Sequence, residues 1–137
     1  MPRTPRQWVY LPSKPSTVPD SMKKQATTRA DKIIETVFKP RYVKPPPKKA
    51  RFNYIVDIYT KWHKNCLYFR ARYASPGTNA LSPFFEHSFT RLEYMRTGRF
   101  NLAYMRHTGR WWVVFEDLPM EEAFVTVRDQ VLFHPPG

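Results

Sequence analysis

The chain has one cysteine, Cys66, among its 137 residues, and only four glycines. A single thiol closes no intramolecular disulfide and seeds no Cys-rich zinc site, so the fold must rest on apolar burial, and a reducing compartment suits it. The four glycines, Gly77, Gly98, Gly109 and Gly137, are too scattered to form a Gly-rich phosphate loop. No apolar run approaches the roughly 18 residues of a membrane span, and no continuous apolar stretch follows the basic N-terminus as a secretory leader requires. The expectation is a soluble cytoplasmic protein with no membrane partner. Prolines at 2, 5, 12 and 15 would break the amphipathic helix of a mitochondrial transit peptide. Acidic residues are scarce in one region: residues 1 to 51 carry 13 Lys/Arg against Asp20, Asp31 and Glu35, a net of +10, whereas residues 52 to 137 carry 10 against 8, a net of +2.

What is present follows the same division. Nine of the 14 prolines lie in that basic first part. Residues 1–19 read as a basic, Pro-rich arm in extended or polyproline-like backbone. From Asp20 the apolar residues Met22, Ala26, Ala30, Ile33, Ile34, Val37 and Phe38 recur at three- and four-residue intervals. Residues 20–38 are therefore expected to form an amphipathic helix, with Pro19 as starter and Pro40 as stop. Residues 39–51, KPRYVKPPPKKAR, read as a stiff Pro/Lys linker.

Residues 52–137 read as the folded α+β domain. After Arg51 the apolar period becomes two: Phe52, Tyr54, Val56 and Ile58, then Leu67, Phe69, Ala71 and Tyr73. Three further strands are expected around 89–95, 99–105 and 110–116, with Gly98 and Gly109 in short joins and residues 75–87 as a long connection. The result is an antiparallel meander of about five strands. Trp111, Val113, Phe115, Phe100, Leu102 and Tyr104 are expected on its buried face. A C-terminal helix, capped by Asp117 and carrying Met120, Phe124, Val127 and Val131 on one side, should pack on that face. YMRTGRF at 94–100 returns as YMRHTGRW at 104–111; successive hairpins of similar length reuse the same turn chemistry.

The segment FNLAYMRHTGRWWVVFEDLPMEEAF, residues 100–124, with LFHP at 132–135, runs from an apolar strand through a Gly turn and an Arg-Trp-led strand to an acidic-Leu-Pro helix start. It resembles a family of small bacterial proteins, the 3024 group of domains of unknown function, over the last two thirds of the chain. The basic first part lies outside the resemblance. The resemblance implies a compact α+β domain and carries no activity with it.

Three kinds of chemistry fit the polar residues. Nucleic-acid binding is the reading the charge favours: basic groups neutralise phosphates with release of counterions, and aromatics offer bases a stacking surface. The candidates are Arg3, Arg6, Lys14, Lys44, Lys48, Lys49 and Arg51 in the arm and linker, with Trp8, Tyr10 and Tyr42 interleaved. In the domain they are Tyr68, Arg70 and Arg72 on one strand face, with Arg91 nearby. RNA or single strands suit this mixture better than duplex, and a ribonucleoprotein is an equivalent target. Solvated arginines and core tyrosines are the ordinary explanation of the same residues. A metal site would need His63 and Cys66, spaced His-x2-Cys, joined by His87 or His107, and a hairpin-turn histidine beside a half-buried cysteine is the commoner reading, so no metal and no other cofactor is expected. A weak ribonuclease-like centre would draw on His107, Arg106 and Arg110 with Glu86 and His87, residue types without a spacing that demands them. The chain therefore reads as a non-enzymatic nucleic-acid-binding or ribonucleoprotein accessory protein whose basic arm and linker contact phosphates while the folded domain supplies position. The alternative is a protein-interaction module that docks its Pro-rich arm on a partner.

Overall fold

The computed structural model describes residues 17–46, 52–77 and 80–136. Arg3, Arg6, Trp8, Tyr10, Lys14, Lys48, Lys49 and Arg51 lie outside the described residues. Val18, counted above with the arm, is instead buried in the domain.

The chain adopts the expected α+β architecture. Strands β1 (Tyr54–His63), β2 (Cys66–Ala74), β3 (Phe84–Tyr94), β4 (Phe100–Met105) and β5 (Trp111–Leu118) pair antiparallel in sequence order in one open sheet. Helices α1 (Asp20–Ile33), α2 (Lys39–Tyr42) and α3 (Met120–Asp129) complete the fold. Ala26, Ala30 and Ile33 of α1 and Ala123, Phe124 and Val127 of α3 share a core with Phe69, Leu92, Phe100 and Leu102 of the sheet. All of these strand residues belong to one face.

The N-terminal helix does not stop at Pro40. It continues through a π turn, Ile34–Phe38, where the Lys39 amide donates to the Ile34 carbonyl, and ends at Tyr42. Proline removes one helical donor and crowds the carbonyl four residues back; the wider turn just before Pro40 relieves that crowding, so the chain stays helical. The extension matters for packing. It seats the fully buried Phe38 ring edge-on to Phe69 at 5.9 Å and Phe89 at 6.0 Å. It also brings the Tyr42 hydroxyl within 2.6 Å of His134 Nδ1, while His134 Nε2 lies 2.8 Å from the Arg128 carbonyl. A carbonyl only accepts, so Nε2 carries the proton and Nδ1 accepts from Tyr42. Tyr42 is thus a structural residue and not part of a free aromatic arm.

Bulges account for the other departures from simple alternation. In β1 the register slips between Ile55 and Asp57, so Ile55 and Ile58 both reach the core and Phe52 is left 82% exposed. In β3 the slip opposite Phe69 and Arg70 turns both Phe89 and Thr90 inward; the Thr90 hydroxyl, fully buried, donates to the Phe133 carbonyl at 2.8 Å. In β5 the register slips twice: Glu116 and Asp117 lie between the partners of Phe100 and Leu102, and Val114 is extra because Leu102 faces Phe115 but Ala103 faces Val113. Phe115, Phe100, Leu102 and Tyr104 therefore take the expected side, whereas Trp111 and Val113 fall on the opposite one.

The C-terminal helix starts later and ends sooner than expected. Asp117 is no cap. It takes φ 58° at the end of β5, and its carboxylate accepts from the Thr97 hydroxyl at 2.8 Å and faces Arg99 at 3.7 Å. Pro119 occupies the cap position, and its carbonyl accepts the Ala123 amide at 2.9 Å. Gln130 is extended, so the following 3-10 turn sends Phe133 into the core and leaves Val131 65% exposed. The sequence echo has a geometric cause: Gly98 and Gly109 both have φ 82°, and each closes a three-residue loop with the same pair of backbone hydrogen bonds.

Candidate nucleic-acid interface

Alternation along β2 places Tyr68, Arg70 and Arg72 on the face turned away from the helices, between Leu67, Phe69 and Ala71, which are fully buried. Register then decides which side chains join them. Tyr68 faces Arg91, Arg70 faces Tyr59 on one side and Ser88 on the other, and Arg72 faces Asp57 on one side and Glu86 on the other. Among the described residues no helix covers this face.

Each of its arginines lies over an aromatic ring. The Arg91 guanidinium is 5.1 Å from the Trp111 ring centre, Arg72 is 4.5 Å from Phe84, and Arg70 is 6.0 Å from Tyr59. Tyr68 and Trp111 are tilted rings 5.7 Å apart, with Arg91 beside both. Among the described residues none of these three arginines forms a salt bridge, whereas Arg29, Lys39, Arg99 and Arg128 each meet a carboxylate elsewhere. The Nε–H groups of Arg70 and Arg91 are buried and find no acceptor among the described residues. Guanidinium stacking on a ring holds the charge in place without neutralising it. The face also carries acids: Asp57 and Glu86 both lie opposite Arg72, Glu86 accepting from the Tyr59 hydroxyl, and Glu93 lies opposite Cys66.

The face has a recess of about 230 Å³ lined by Lys61, His63, Tyr68, Arg70 and Ser88. A second depression, about 240 Å³, lies between α1 and α3, where Arg29 meets Glu121 at 3.8 Å and the cations are partly compensated.

The other candidates are not assembled. Glu86 and His87 belong to β3 and not to a loop. Glu86 is engaged with Tyr59, while Arg106 lies 4.8 Å over Trp112 and His107 sits exposed in the following turn with Arg110. His63 and Cys66 face each other across the first hairpin, and among the described residues no three His, Cys, Asp or Glu side chains cluster to hold a metal. Burial pushes the Cys66 thiol up, which disfavours a thiolate nucleophile. Lys44 donates to the Pro40 carbonyl at 2.8 Å and so closes the helix end.

Sequence reading found Tyr68, Arg70, Arg72 and Arg91 as a set and missed Trp111, Tyr59, Phe84 and Lys61. Trp111 carried a signal. WWVVF, residues 111–115, is five apolar residues without alternation, which a strand with one buried face accommodates through a bulge.

A helix-backed antiparallel meander with one open basic-aromatic face is the class of domain these observations define. The profile of the family described as Domain of unknown function (DUF3024) matches residues 18–135, and the chain belongs to that family. The match reaches further toward the N-terminus than the last two thirds: it takes in α1, α2 and residues 39–51 as well as the sheet. No curated protein and no solved structure matches the chain significantly. No helix of the described residues is long and apolar enough to cross a membrane.

Proposed function

We propose that the protein is a non-enzymatic nucleic-acid-binding or ribonucleoprotein accessory protein, and that single-stranded RNA or DNA lies on the open face of its sheet. One observation carries the reading: Arg70, Arg72 and Arg91 lie over aromatic rings and form no salt bridge among the described residues. A fixed guanidinium with free charge offers donors to phosphate oxygens, and Trp111 and Tyr68 offer planes on which unpaired bases stack. Duplex hides those planes, which favours single strands. The basic residues 1–51, at a net of +10, add charge that strengthens encounter with any polyanion.

The test is fluorescence anisotropy of the full chain with labelled single-stranded RNA, single-stranded DNA and duplex at two salt concentrations. Single strands are expected to bind in preference to duplex, with affinity that falls steeply as salt rises. Absence of binding, or an affinity that salt does not change, overturns the reading and favours docking of the prolines on a protein partner.

A further inference from the structure

The recess on the open face has a donor set that its position makes selective. It is lined by Lys61, His63, Tyr68, Arg70 and Ser88, all of them donor-bearing residues, with no Asp or Glu among them. Lys61 faces Tyr68 and Ser88 faces Arg70 in the strand register, so donor-bearing residues of three adjacent strands stand side by side around it. The recess also ends a row. Trp111 on β5 touches Arg91 and Tyr68 in the middle of the sheet, and among the described strands only β1, which carries Lys61 and His63 at the edge, lies beyond Tyr68.

Resting on the function proposed above, we infer that this recess takes the terminal phosphomonoester of a single strand whose bases stack toward Trp111. A phosphomonoester presents three acceptor oxygens and a charge of roughly −1.5 to −2 at neutral pH, which suits several converging donors. An internal phosphodiester carries a single charge and has chain leaving on both sides, and here the sheet ends on one of them.

Three oligonucleotides of one sequence, ending in a 5′-phosphate, a 3′-phosphate or hydroxyls only, are titrated into the full chain and into the Lys61→Ala/His63→Ala variant. Both substituted residues are exposed, so the melting temperature serves as a check that the variant is folded. One phosphorylated oligonucleotide is expected to bind about tenfold tighter than the hydroxyl-ended one. That preference should shrink to within about twofold in the variant and persist in Lys61→Arg. Equal affinity for all three overturns the inference and leaves single-strand binding standing. A preference that survives in the double variant also overturns it. Binding of none of the three overturns the function on which it rests, and the inference with it.

Discussion

Phe69 and Tyr68 are neighbours in β2, yet they share no surroundings. Phe69 is fully buried between the rings of Phe38, Phe89 and Phe124, while Tyr68 lies on the open face beside Arg91 and Trp111. The same division runs through Leu92 and Arg91 in β3 and through Phe115 and Trp111 in β5. One face is a close-packed core in which every polar group needs an internal partner. The other holds three arginines over aromatic rings, none of them in a salt bridge among the described residues. The lesson is that a period of two separates stability from recognition residue by residue, so that substitutions one position apart should report on different properties.

The largest effect belongs to the covered face. Phe69→Ala should destabilise the protein by about 3–5 kcal/mol, whereas Tyr68→Ala should cost less than about 1 kcal/mol, both read by chemical denaturation. Comparable losses would break the division.

Next comes Tyr73, whose hydroxyl donates to the Pro136 carbonyl at 2.7 Å; burial pushes it from an ordinary 10.0 up to about 12. The folded state thus holds this proton where the unfolded chain releases it. The contribution is fully present below pH 10 and is lost as pH rises toward 12, in all on the order of 2 kcal/mol. Denaturation at pH 9 and pH 11.5 should show a larger fall in the parent chain than in Tyr73→Phe. Identical falls would mean the hydroxyl is wet.

The smallest effect sharpens the boundary of the arm. Tyr42→Phe removes the hydroxyl that donates to His134 Nδ1 and should cost about 1 kcal/mol, a drop of about 4 °C in melting temperature. Deleting residues 1–16 and neutralising Lys48 and Lys49 should leave the melting temperature unchanged and weaken polyanion binding. A deletion reaching Val18 is a different experiment, because that side chain is buried.

How far the sequence disclosed this depends on where one extra residue falls. The elements, their order and the pairing of Tyr68, Arg70 and Arg72 were legible because β2 itself alternates without interruption from Leu67 to Tyr73. Trp111 and Val113 fall on the side opposite to the one their alternation implies because a bulge in β5 shifts the period by one, and a bulge is a property of two strands that neither shows alone. The helix past Pro40 was hidden for a related reason: a π turn is chosen by the packing of Phe38 against the sheet and not by local propensity. The aromatic partner under each arginine depends on register across strands, which charge and spacing along one strand do not contain.

If the open face contacts the phosphates of a bound strand, cations on the two sides of the sheet differ in their effect, and matched single-charge variants separate them. Arg91→Gln removes a cation from the open face and Lys32→Gln removes one from α1 on the opposite side of the sheet. For each, the slope of log affinity against log salt is measured with single-stranded RNA. Arg91→Gln should lower the magnitude of the slope by about 0.7, one phosphate contact, and Lys32→Gln should leave it unchanged. Equal changes in the two variants would contradict it.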